Sequence, residues 1–219
     1  MDANKKELYK QRRNIGLLGM MLPFLLYFGS DIEKVLRSFS HYYYTRSSLF
    51  FIAIIFAFAI MLFSYQGYEK LPEEKVSDNV ITSIAAFFAL MVLLVPTASM
   101  NAGGPIHFTD SPYLFGHVDN MTKKYIHLAS AGIFISLLGY MSYFKFTLSP
   151  KNKPGLNMFY KACGIIIWGS ILAMLIIMMF DGEGDDAIEF PYVFAFEVVA
   201  IEAFAISWLR KAKTVQFLA

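Results

Sequence analysis

Residues 156–180 read LNMFYKACGIIIWGSILAMLIIMMF and carry one charge, Lys161, near the start of the run. A hydrocarbon core about 30 Å thick is crossed by about 20 apolar residues in helical form, and this run supplies them without a break. A helix apolar on every face has no water-facing side, so lipid or a large protein interior must surround it. Five other runs share the character: roughly 14–29, 47–67, 79–97, 125–146 and 188–209. The expected fold is all-α: a single transmembrane domain over residues 1–219, a polytopic bundle of six transmembrane helices.

Composition agrees. The chain of 219 residues is 57% hydrophobic and only 16% charged, where a soluble domain carries about 25% charged residues. A net charge of +2 is too small to point to nucleic acid. Cys163 is the only cysteine, which excludes a disulfide within the chain and a multi-cysteine metal site. Inside an apolar run it reads as a small buried hydrophobe.

The start, MDANKKELYKQRR followed by IGLLGMMLPFLLYF, has the outline of a signal peptide, but GSDIEK follows where a small-residue cleavage site would stand. We read it as a first span interrupted by Pro23. Beyond it, Ile32, Val35, Leu36 and Phe39 recur at helical spacing, with Asp31, Glu33, Lys34 and Arg37 between them. That pattern predicts a helix lying in the membrane interface. With the N-terminus inside, fourteen Lys and Arg fall in cytoplasmic segments and five outside, so both termini are expected in the cytoplasm. The one long connection, 98–124, is expected to fold over the outer face as a lid.

On that topology His41, His107, His117 and His127 all fall on the outer side, with Asp110, Asp119, Asp181, Glu183, Asp185, Asp186 and Glu189. Imidazole and carboxylate are the zinc ligands available when cysteine is lacking. No His pair has the spacing that sets two ligands on one helix face. The DGEGDD turn lacks the full pattern of a calcium loop. Two carboxylates interrupt the last span, Glu202 about 12 Å and Glu197 about 20 Å in from Arg210. Facing lipid would cost each several kcal/mol, so both should turn inward. Five residues apart, they point in different directions. Glu197 is expected in an outer pocket with the histidines, and Glu202 bonded to a neighbouring helix. Asp78 is expected to cap the third span. Tyr42, Tyr43 and Tyr44 stand where an aromatic belt anchors a helix, yet three successive residues cannot all face lipid. One of them should point inward with His41 or Arg46, and Arg46 could pair with a lipid phosphate, Glu189 or Glu197. Ser130, Ala131, Gly132, Ser136 and Gly139 suit close helix packing.

Several segments, SHYYYTRSSLFF, SYQGYE, DNVITSIAAFFALMVLLVPT, HLASAGIFISLLGYMSYFKFT and FEVVAIEAFAISWL, together resemble an uncharacterised bacterial family of six-helix membrane proteins. The resemblance covers most of the chain and implies architecture alone. A fainter one is to the ceramidase–adiponectin-receptor superfamily of membrane zinc hydrolases, which place a Ser and His on one helix and a His pair on the last. Ser40, His41 and His127 would supply part of that set, while Glu197 and Glu202 stand in place of the His pair.

The function expected from these features is binding of a membrane lipid or small hydrophobic ligand in an outer-facing pocket, in a sensor or partner role. His41, Tyr43, Arg46, His127 and Glu197 would form the site, without a cofactor. The alternatives are a zinc-dependent lipid hydrolase using His41 and His127, and a small channel or transporter using Glu197 and Glu202. The expected setting is a bacterial cytoplasmic membrane, with a homo-oligomer as a further possibility.

Overall fold

A computed structural model of the chain describes residues 3–30, 34–68, 70, 74–97, 121–148, 154–180 and 190–213. The first helix, α1 (Ala3–Gly29), starts well before the expected span. Lys, Glu, Gln and Arg are good helix formers, so the charged leader extends the apolar segment without a break. Pro23 lies inside α1 and does not end it. Then come α2 (Ser48–Phe63), α3 (Asp78–Leu94), α4 (Met121–Tyr140), α5 (Pro154–Phe180) and α6 (Tyr192–Lys211), with a short 3₁₀ helix, Phe39–Tyr44, between α1 and α2. No strand occurs among the described residues. The α4 helix continues through a π turn, Met141–Lys145, and a 3₁₀ turn, Phe146–Leu148.

Each helix packs on the next in sequence, and α6 closes the ring onto α1. Small residues permit the closest approaches. A Cβ on Gly16 would lie 2.7 Å from Leu209 Cγ, and one on Gly19 would lie 3.1 Å from the Phe204 ring. Phe58, Phe134, Phe204 and Trp208 form a chain of ring contacts through the core. The outer surface is apolar as well: Phe28, Ile60, Phe87, Ile165, Leu172 and Met179 are exposed, Met179 at 80%. So much uncovered apolar surface suits lipid and not water. Three helical segments, Thr122–Leu148, Pro154–Phe180 and Tyr192–Lys211, are long and apolar enough to cross a membrane, and Ser48–Phe63 and Asp78–Leu94 are shorter apolar helices.

Three local expectations are corrected. Residues 34–38 are not helical, so the interfacial helix does not form there. Their backbone is drawn into tertiary bonds instead: Leu36 N donates to Tyr42 Oη and Arg37 O accepts from Phe194 N. Asp78 is not the cap of α3. Ser77 is, its hydroxyl accepting from Val80 N. Asp78 is buried, bonded to Lys145 Nζ at 3.1 Å and to Tyr68 N at 3.4 Å. Glu202 shows no bond to a neighbouring helix among the described residues, where its Oε1 is buried without a partner. The proposed lid 98–124 lies outside the described residues up to Asn120, as do His107, His117, the acidic turn and Glu189.

The α4–α5 contact gives a packing test. A Cβ on Gly164 would lie 2.6 Å from Tyr143 Cβ and 3.1 Å from the Gly139 carbonyl, neither of which can swing aside. Gly164→Ala is expected to destabilise by about 1–3 kcal/mol through overpacking. Gly169 in the same helix has nothing within 4 Å of its added Cβ. Gly169→Ala should hold or raise stability by up to about 1 kcal/mol. Thermal unfolding of the two variants in detergent compares them.

Candidate functional site

The segment after α1 is held to the start of α6 by one carboxylate. Ser38 is the extended N-cap of the Phe39–Tyr44 helix. Its hydroxyl donates to Glu197 Oε1 at 2.8 Å and accepts from Ser40 N at 3.2 Å. Phe39 N donates to Glu197 Oε2 at 2.6 Å. Glu197 therefore takes two donors at a helix N-terminus, which is where a carboxylate is best placed electrostatically. Phe194, three residues earlier on α6, packs edge-on to Phe39 with centroids 5.1 Å apart and tilts against Tyr42.

The same turn presents Ser40 to α4. His127 is 2% exposed. Its Nδ1 lies 2.7 Å from the Val95 carbonyl and its Nε2 2.8 Å from Ser40 Oγ. A carbonyl can only accept, so Nδ1 carries the proton. In the neutral ring Nε2 then accepts the Ser40 hydroxyl proton. A hydroxyl bonded to a base, with the base oriented by a third group, is the arrangement that activates a nucleophile.

His41 stands beside this pair. Its backbone N–H donates to Ser38 O at 3.1 Å, and its ring Nδ1 is buried without a hydrogen-bond partner among the described residues. Burial first, then the positive charge of Arg37 and the neighbouring His127, lower its pKa from 6.5 to about 4. The neutral form is thus favoured by folding. Between those two values the unfolded chain binds more protons than the folded one, so stability falls as pH drops from about 6.5 toward 4. The loss should reach about 3 kcal/mol at 1.36 kcal/mol per unit. His41→Gln should flatten this part of the stability–pH curve. An equally steep curve in that variant would assign the effect to another group.

The structure thus brings together His41, His127 and Glu197 at one end of the bundle. Of the three tyrosines, Tyr42 is fully buried, while Tyr43 and Tyr44 are half-buried. Tyr43 packs against Phe51 and Tyr44, and Tyr44 Oη donates to the Thr97 carbonyl. Arg46 is exposed. Glu202, one and a half turns along α6, is not bonded to these residues. Sequence reasoning did not single out Ser38. The available signal was the spacing Ser38-x-Ser40-His41 before an aromatic run, a serine positioned to cap a short helix.

Zinc does not fit this arrangement as it stands. Both His127 ring nitrogens are engaged by protein oxygens, and no group of three His, Cys, Asp or Glu side chains suited to a metal occurs among the described residues. The fold and site together define an all-helical protein with membrane-length apolar helices and a Ser–His–Glu polar cluster at one end. No family model, curated protein or solved structure matches the chain.

Proposed function

We propose that the chain is a multi-pass protein of a bacterial cytoplasmic membrane, crossing six times with both termini inside. At its outer end it binds a lipid or small hydrophobic ligand through His41, Tyr43, Arg46, His127 and Glu197. One observation carries this reading: among the described residues His41 keeps a buried ring Nδ1 without a hydrogen-bond partner, beside Ser38, Ser40, His127 and Glu197, which are bonded. An unsatisfied buried polar atom costs about 1–3 kcal/mol, and a ligand hydroxyl or carbonyl would remove that cost. Native mass spectrometry of the purified protein tests it. A bound lipid-sized mass is expected on the wild type and depleted on His41→Leu. Bare protein in both, or equal retention, removes the reading.

The Ser40–His127–Val95 geometry favours a second reading, hydrolysis of a lipid ester or amide without zinc. Ser40 Oγ would attack the carbonyl carbon while His127 Nε2 takes its proton. That proton would pass to the leaving group, and water would then release the acyl group from Ser40. A fluorophosphonate probe should label wild type at Ser40 and not label Ser40→Ala. An unlabelled wild type counts against it.

A further inference from the structure

Among the described residues, the opposite end of the bundle holds three buried cations, and two carboxylates lie within ion-pair distance of one of them. Arg12, on α1, is 0% exposed, and Lys145 and Lys211 are nearly as deep. Lys145 takes both acids: its Nζ is 3.1 Å from Glu74 Oε1 and 3.1 Å from Asp78 Oδ1. It also donates to the Val76 carbonyl. Asp78 reaches Lys211 electrostatically but spends its hydrogen bonds on Lys145 and Tyr68 N. Among the described residues no carboxylate lies within ion-pair distance of Arg12 or Lys211.

What surrounds those two cations is aromatic. Arg12 Nε donates to Tyr65 Oη at 2.8 Å and Nη1 to Tyr68 Oη at 3.1 Å. Its guanidinium lies 4.6 Å from the Tyr68 centroid and 5.8 Å from that of Phe146. Lys211 Nζ shares two of these rings, lying 5.6 Å from Phe146 and 5.9 Å from Tyr68. Of its three donors, one goes to the Phe146 carbonyl at 2.7 Å. Arg12 Nη2 is buried and has no hydrogen-bond partner among the described residues. Ring faces offset part of the cost of burying a cation. They accept no strong hydrogen bonds, so among the described residues no protein oxygen meets Arg12 Nη2, and one, the Phe146 carbonyl, meets Lys211.

An arginine fork and an ammonium group on shared rings, with no carboxylate paired to them among the described residues, suit an oxyanion. Tyr68 is the exposed member of the box, at 44%, and marks the side of entry. It follows Gly67, whose φ of 70° lies in the left-handed region; a Cβ there would collide with Asp78. The turn therefore fixes Tyr68 over Arg12 by way of Asp78. Exposed Lys6, Lys10 and Arg13 on α1 add an attractive field.

We propose that Arg12 and Lys211 bind a phosphate group at this end of the bundle, carried by an anionic lipid headgroup or free in solution. Tetrahedral oxygens would meet Arg12 Nη2 and the two spare Lys211 protons together.

Full-length protein in a neutral detergent, titrated separately with inorganic phosphate and with short-chain phosphatidylglycerol at constant ionic strength, tests this by thermal unfolding. The midpoint is expected to rise with dose. A rise with the lipid alone assigns a headgroup, and a rise with both assigns the phosphate itself. Lys211→Met, which keeps length and packing but removes the charge, should weaken half-saturation roughly tenfold, as should Arg12→Lys, which keeps charge but loses the fork. Should Arg12→Lys fail to fold, Lys211→Met decides alone. No rise with either probe, or an unchanged half-saturation in Lys211→Met, overturns the proposal.

Discussion

Lys145→Ala is expected to destabilise the protein by about 3–5 kcal/mol, the cost of leaving buried carboxylates without their cation. Its Nζ bridges Glu74 from the α2–α3 connection and Asp78 at the start of α3, and bonds the Val76 carbonyl between them. The side chain is 3% exposed, so water cannot take over these roles in place. The π turn matters here. It adds a residue to the turn of α4 that carries Lys145 and so alters the direction in which the side chain leaves the helix. Denaturant unfolding in detergent measures the effect. The double variant Lys145→Met, Asp78→Asn should recover part of the loss, because it removes one stranded charge along with its partner. A single variant within about 1 kcal/mol of wild type would mean that the acids are hydrated or protonated when Lys145 is gone.

Glu197→Ala is expected to cost about 2–4 kcal/mol, since Phe39 N and the Ser38 hydroxyl both lose their acceptor and a buried orphan donor costs about 1–3 kcal/mol. These two bonds hold the segment that carries Ser40 and His41, so the loss should spread. Ser40 would no longer be held against His127, and protease cleavage within residues 34–47 should quicken. Glu197→Gln separates charge from hydrogen bonding. Its carbonyl can still accept from Phe39 N, and its amide can donate to Ser38 Oγ if the hydroxyl turns. The expected cost is about 1 kcal/mol. Equal losses for Ala and Gln would show that the negative charge at the helix start is what counts, and not the pair of acceptors.

Much of the architecture was legible because it follows from where apolar residues run without interruption. The α5 run stood out from its composition, and the helices Ser48–Phe63, Asp78–Leu94 and Tyr192–Lys211 fall within a few residues of their expected positions. Misplacements came where tertiary partners outbid local pattern. The spacing of Val35, Leu36 and Phe39 fits an amphipathic helix, yet Glu197, Tyr42 and Phe194 claim the backbone there and impose a different path. Asp78 has the chemistry of a helix cap, but Lys145 lies 67 residues away in sequence and only the folded ring brings it near.

The site was legible in its types and not in its pairings. Histidines and a carboxylate within an apolar helix could be singled out because their burial is costly wherever they lie. Nothing in the sequence joined Ser38 to Glu197, or Ser40 to His127, across separations of 159 and 87 residues. Nor did it set Arg12 beside Lys211 within one group of rings. Composition and the lengths of apolar runs were enough to determine an all-helical chain suited to lipid, because hydrocarbon demands that backbone bonds close within each helix. Which polar groups meet at the ends was decided by the closing of α6 onto α1. A hydrogen bond acts over about 3 Å, and such proximity between distant residues exists only once the chain has packed.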